Sequence, residues 1–352
     1  MNVSQILSAI CPADVAMAQA AKAHWDAIAK PLGSLGLLED AVIRMAAATR
    51  TQLPTIQKRC VVAFCADNGV VCEGVTQTGP EVTAIVARNF CTGDTSTCKM
   101  AAVAHADVIP VDMGMLTAVS HPKMLVRRIA PGTKNLRREP AMTREQAEAA
   151  VMAGVELAFE LSQQGYELFA TGEMGIGNTT TSSAVAAVLL GRPVAEMTGP
   201  GAGLSRQGVL HKIAVIEEAI ALHQPNPADP LDVLSKVGGF DIAGMVGLCL
   251  GAAVQKTPCL IDGFISGVAA LLAARLCPAV LDYLIASHVS AEPAGRLILN
   301  ALGLNPLITA EMRLGEGSGA VAAMPLLDMA LAVYGSMTTF EQTNIEAYVP
   351  LS

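Results

Sequence analysis

The sequence predicts an α/β protein: a mostly parallel, Rossmann-like sheet flanked by helices, with a small helical domain formed from both termini. Three observations carry this. From Arg59 onward, short apolar β-type runs alternate with Ala-rich helical stretches, the pattern of βαβ units. Each β-type run ends in polar or glycine residues. The two ends of the chain instead carry apolar residues at helical spacing, as in "LLEDAVIRMAAA" and "AVAAMPLLDMALAVYGSM".

Taken in order, residues 1 to about 58 read as helices around "KPLGSLG". The strands that follow are "CVVAFCADNG", "DVIPVDMG", "ELFATGEMG", "PCLIDGF" and "LDYLIASHVS". They deliver Asp67-Asn68-Gly69, Asp112-Met113-Gly114, Gly172-Glu173, Asp262-Gly263 and Ser287 to Ser290 to one edge of the sheet. In open α/β sheets that edge is where ligands bind. A large domain over 59–319 would carry the nucleotide and base site, and 1–58 with 320–352 would form the small helical domain.

Composition narrows the function classes. The 352 residues are 52% hydrophobic, which is enough for a full core. A net charge of −8 with no basic stripe argues against a nucleic-acid partner. The N-terminus lacks the pattern of a secretory signal. The most apolar stretch is broken by Lys256, Pro258 and Asp262, so two buried segments are expected instead of a membrane span, which needs about 20 apolar residues in a row. Nine cysteines, five of them between Cys60 and Cys98, show no CxxC pair and no zinc spacing. They read as free buried thiols in a reducing cytoplasm. Trp25 and most methionines read as packing, and His24, His105, His121, His211 and His223 form no pattern.

Three glycine-rich stretches carry chemistry. "ATGEMGIGNTTTSSAVAAVLLG" follows a strand and opens a helix, placing Gly172, Gly175 and Gly177 before Asn178 and the hydroxyls Thr179 to Ser182. Free N–H groups at such a helix start suit phosphate; the alternative is a tight turn with an ordinary N-cap. "TGPGAGLSRQGVLHK" is a second such loop, in which Gly199, Gly201 and Gly203 let amides face an anion and Lys212 adds a charge; the alternative is a flexible helix connection. "RLGEGSGA" holds Glu316 between Gly315 and Gly317 before the last helix, which Ser318 could cap. Glu316 reads either as a first-turn acid or as a carboxylate on constrained backbone, suited to a general base. His288, in "ASHVSAE", sits at a strand end and reads equally as a ligand contact or a hydrogen-bonded structural group.

Together, "KPLGSLG", "GEMGIGNTTTSSA", "DGFISG", "SHVSAE" and "RLGEGSGA" resemble the nicotinate-nucleotide:dimethylbenzimidazole phosphoribosyltransferases, in order and over nearly the whole chain. That resemblance implies a dimer of α/β subunits that moves phosphoribose from nicotinate mononucleotide to an aromatic base, giving an α-linked ribotide and nicotinate for cobamide biosynthesis, without metal or cofactor. By it, Glu316 matches the catalytic base. Glu173, Gly175, Gly177, Asn178 and Thr179 match the nucleotide loop, with Gly201, Gly203 and Lys212 on the phosphate side. Asp262 and Ser290 match positions near the ribose and base. Gly315 and Gly317 would give the flat acceptor and the ribose room to meet. Ile85, Met174 and Leu314 are expected to line the acceptor pocket. Relatives that use benzimidazoles commonly have a glutamine where Ile85 stands, so a phenol or p-cresol is an expected acceptor beside 5,6-dimethylbenzimidazole. The alternative is a non-catalytic or weakly active paralogue subunit of a heterodimer. A nicotinamide-dependent dehydrogenase is disfavoured by the missing GxGxxG.

Overall fold

The computed structural model describes residues 1–343 and 345–348. The end of the expected helical segment, residue 344 and residues 349–352, lies outside them. Six strands form one sheet: β1 (Arg59–Ala66), β2 (Asp107–Gly114), β3 (Leu125–Val126), β4 (Leu168–Met174), β5 (Cys259–Ile261) and β6 (Leu284–Ala286). Their order is β3-β2-β1-β4-β5-β6, and every pairing is parallel. This is the doubly wound order, with its topological switch between β1 and β4. The five expected strands are present. The sixth, β3, is two residues long and too short to show a period.

Strand β1 is buried on both faces along its length. Its alternate residues serve different cores, as the strand period of two requires. Cys60, Val62, Phe64 and Ala66 join the larger core, packed against helices Arg144–Gln163, Phe240–Gln255 and Phe264–Leu276. The last two are the buried segments expected on either side of β5. Helices Arg144–Gln163 and Phe240–Gln255 touch through backbone: a Cβ on Gly154 would meet the Gly244 carbonyl, and one on Gly247 the Val151 carbonyl.

On the other face, Val61 shares a core with Leu168, Ala170, Leu260 and Ile285. Against them pack Trp25, Ile28, Val42 and Met45 from the N-terminal helices and Val321, Met324, Leu327 and Tyr334 from helix Ser318–Ser336. The chain ends do meet, with the Trp25 and Tyr334 rings 4.9 Å apart, and the core they build is continuous with the sheet. Helix Ser318–Ser336 is long and apolar enough to cross a membrane by length and composition; here it packs on β4 and on helices Leu37–Thr49 and Ser96–Val103.

Candidate active site

β4 brings Glu173 to the carboxyl edge of the sheet beside the switch point, 7% exposed. The Asn178 side-chain amide donates to Glu173 Oε2, and its other N–H reaches Asp241 Oδ2 at 3.1 Å. The Glu316 backbone N–H donates to Glu173 Oε1 at 3.3 Å. Burial, and then the neighbouring Asp241 carboxylate, push the Glu173 carboxyl up to about 8. Burial also raises Asp241, to about 6.

Helix Asn178–Leu190 opens behind Gly177, whose φ of +91° is left-handed and favours glycine. A Cβ on Gly175 would lie 2.6 Å from the Ala66 carbonyl oxygen and 2.7 Å from Asp241 Oδ2. These glycines therefore let β4 turn against β1. The hydroxyl run mostly faces inward: Thr181 donates to the Asn178 carbonyl at 3.0 Å, and Thr180 and Ser182 are buried without a hydrogen-bond partner among the described residues. Thr179 alone of the four lines the cavity.

Lys212, on helix Arg206–His223, is 1% exposed. Its ammonium donates to Thr179 Oγ1 at 2.7 Å. Burial pulls it down to about 8, opposed by the Glu292 carboxylate. Gly201 (φ +53°) lies on the loop beside it, and a Cβ there would come within 2.9 Å of Thr179 Oγ1. A buried ammonium with one neutral partner and left-handed backbone beside it favours an anionic ligand.

Glu316 stands in a run of left-handed residues, with φ of 83°, 63° and 87° from Gly315 to Gly317. Such a conformation is unusual for a residue with a Cβ. The two glycines prove to be required by the protein itself. A Cβ on Gly315 would collide with the Glu173 carboxylate, and one on Gly317 would sit 3.1 Å from the Thr171 carbonyl oxygen, hard against Val61. The room expected for an acceptor is filled at these positions by β1 and β4. Glu316 Oε2 lies 3.5 Å from the Thr97 N–H at the start of helix Ser96–Val103. Burial raises its carboxyl above the ordinary range.

Asp262, at the end of β5, holds this loop in place. Its carboxylate accepts from the N–H groups of Gly317 at 3.2 Å, Gly319 at 2.7 Å and Ala320 at 3.1 Å. It is thus the cap of helix Ser318–Ser336, the role expected of Ser318, which is the helix's first residue. His288 Nδ1 lies 3.8 Å from Asp262 Oδ1 and 3.2 Å from Ser287 Oγ. Its ring fills the space a Gly319 Cβ would need.

A family model described as phosphoribosyltransferase matches residues 10–345. The chain belongs to that phosphoribosyltransferase family. A relative from Ruminiclostridium cellulolyticum, named nicotinate-nucleotide--dimethylbenzimidazole phosphoribosyltransferase, is 45% identical over 351 residues, covering 100% of both chains. One of the same name from Escherichia coli is 44% identical over 345 residues, covering 98% of this chain and 96% of that one. The crystal structure of CobT from Thermus thermophilus superposes with a TM-score of 0.90 at 38% identity, covering 94% of this chain and 99% of that one.

In this phosphoribosyltransferase one cavity gathers most of the residues singled out in the sequence: Glu173, Met174, Gly175, Asn178, Thr179, Gly201, Asp262, Ser290, Leu314, Gly315 and Glu316. Gly177, Gly317 and Lys212 stand behind its wall, and Gly203 lies outside it on the exposed loop, where its carbonyl accepts from the Gln77 side chain. Ile85 is not brought in. It lies on helix Glu81–Thr92, which turns Thr83, Ala84 and Ala87 inward and leaves Ile85 55% exposed. Ile85 therefore supplies no wall to this cavity, and the phenol acceptor expected from it gains no support from the site. "KPLGSLG" lies apart too. Its Lys30 pairs with Glu39 at 2.6 Å, both buried, 5.0 Å from the Trp25 ring centroid.

The sequence reading missed Asp241, Thr97, Glu292 and Arg313. Asp241 follows "GGF" in a helix that read only as apolar. Thr97 had no local signal, since only the fold brings it to Glu316, whereas Glu292 and Arg313 stand inside "SHVSAE" and "RLGEGSGA" and gain their bearing on Lys212 and on Glu292 only through the fold. A larger cavity lies under the N-terminal helices beside β6, lined among others by Asp14, Asp40, Arg44 and Asp282. It contains none of the groups discussed above.

Proposed function

We propose that this chain transfers phosphoribose from nicotinate mononucleotide to 5,6-dimethylbenzimidazole, releasing nicotinate and forming an α-linked ribotide for cobamide assembly. The observation that carries the reading is the single cavity at the sheet's switch point that holds Glu316 and Glu173 together, with Lys212 behind its wall. Both relatives described above bear the name of that reaction.

In this reading the 5′-phosphate lies against the Gly201 loop and the start of helix Asn178–Leu190, with the Lys212 ammonium supplying its countercharge. The ring nitrogen of the benzimidazole attacks C1′ from the face opposite nicotinate. The C1′–N bond to nicotinate breaks, and its electron pair neutralises the pyridinium. The N–H proton of the new benzimidazolium passes to Glu316. A carboxyl raised by burial is a better proton acceptor when ionised than a solvated one, and a positioned base typically contributes about 10²–10⁴ in rate. Holding the two reactants in line supplies roughly 7–11 kcal/mol. All nine cysteines are unpaired, although Cys11 and Cys72 are exposed and not the buried thiols expected; a reducing cytoplasm is the proposed setting. A dimer, as the resemblance implies, is the proposed assembly.

The test is to incubate the purified chain with nicotinate mononucleotide and 5,6-dimethylbenzimidazole and follow nicotinate release by chromatography. Release is expected from the chain alone. Release only after a second, related chain is added would replace this reading with that of a non-catalytic subunit.

A further inference from the structure

The mechanism above leaves one fully buried carboxylate without a task. Asp241 is 0% exposed and lies behind the cavity wall. It opens helix Phe240–Gln255 as an acid in the first turn, where the aligned peptide dipoles favour negative charge. Its Oδ1 accepts the Ile242 N–H at 3.0 Å, and its Oδ2 accepts an Asn178 N–H at 3.1 Å. Asn178 spends its second amide proton on Glu173 Oε2. One amide group thus bridges two buried carboxylates, and a Cβ on Gly175 or Gly239 would strike the Asp241 oxygens.

Two carboxylates this close in a dry site do not both ionise at neutral pH. The geometry decides which one keeps a proton. Asp241 has a long helix's N-terminus and the Ile242 N–H at 3.0 Å to stabilise its charge. Glu173 heads no helix, and its second donor is the longer Glu316 N–H. The charged groups that act on the pair are Asp262 from the end of β5, on Glu173, and Asp67 from the end of β1, on Asp241. Glu316, on the loop above, is a further acid. Asp262 and Asp241 disfavour a negative charge on Glu173, whereas Asp67 opposes the one on Asp241, which the helix N-terminus and the Ile242 N–H offset.

We propose that Asp241 is a positioning residue: it stays ionised, pins the Asn178 amide, and keeps Glu173 as a neutral carboxylic acid that faces the ligand as a hydrogen-bond donor. The cavity then holds an acid, Glu173, and a base, Glu316, made different by their surroundings. The value of about 8 for Glu173 agrees with this placement. The benefit to the reaction rests on the function proposed above; the location of the proton does not.

Infrared spectroscopy of the ligand-free full chain tests it. Wild type at pH 7 is expected to show the carbonyl stretch of a neutral carboxylic acid that Glu173→Gln removes. In Asp241→Asn the pH midpoint of that band should fall by about one unit or more, the size of effect expected from deleting a like charge nearby. Asn178→Ala, which removes the bridging donor, should move it upward, and serves as the second probe if Asp241→Asn does not fold. No neutral-acid band in wild type at pH 7, or a midpoint unmoved in both variants, overturns the proposal. The alkaline limb of kcat/KM for nicotinate mononucleotide should shift down with the band in Asp241→Asn. A moved band with an unmoved rate profile upholds the proton assignment and removes Glu173 from the catalytic reading.

Discussion

Replacing Lys212 with methionine should make the ligand-free protein more stable at neutral pH while weakening its hold on a phosphorylated ligand. The ammonium is 1% exposed, with Thr179 as its hydrogen-bond acceptor. Burial lowers its pKa from 10.5 to about 8. A depressed lysine costs nothing above its unfolded pKa; the penalty grows as pH falls toward 8 and is complete below it. The drop of roughly 2.5 units corresponds to about 3 kcal/mol at pH 7. Spread over a chain of this length, that is a rise in Tm of about 4 °C. Glu292 loses its countercharge in the variant, so this figure is a ceiling. Deleting the charge-assisted bond to phosphate removes about 1.5–3 kcal/mol of binding, or roughly 10- to 100-fold in Kd. Thermal melts of wild type and Lys212→Met between pH 7 and 10 check the first part, with the gap closing as pH rises. Calorimetric titration with nicotinate mononucleotide checks the second. A variant that is less stable at pH 7 and binds unchanged would refute the reasoning.

Glu316→Gln should preserve the fold and nucleotide binding and cut turnover at least about 10²-fold, read from nicotinate release. Asp262→Ala leaves the N–H groups of Gly317, Gly319 and Ala320 without their acceptor and should cost at least about 2 kcal/mol in chemical denaturation. Ile85→Gln, on an exposed helix face, should leave the chain's preference between phenol and 5,6-dimethylbenzimidazole within about twofold of wild type, since surface changes away from a site are nearly neutral. Equal-concentration competition measures this.

Much of the site was legible because its residues follow strands. Glu173 and Asp262 each end an apolar run, and the parallel sheet carries such ends to one edge. Glu316 was legible through its flanking glycines, although the reason for them was misread: the sequence shows that Cβ atoms are missing but not which atoms take their place. Long-range partners left no trace in local pattern. Thr97 and Glu316 are 219 residues apart, and Asn178 and Asp241 are 63. The facing of Ile85 was a matter of helix phase. "EVTAIVARNF" is amphipathic around Thr83, Ala84, Ala87 and Phe90, and a count of that stripe turns residue 85 outward.

The mounting of Glu316 has a consequence for how this chain can be cut. The loop bearing it is clamped below by Asp262 and continues into helix Ser318–Ser336, which rests on the N-terminal helices through Met45, Trp25 and Tyr334. The first fifty residues contain none of the catalytic groups, yet they form the floor under the helix that aims one. Deleting them should therefore silence the enzyme even if the sheet survived. A disturbance of the N-terminal helices and one of helix Ser318–Ser336 are thus felt at the same carboxylate.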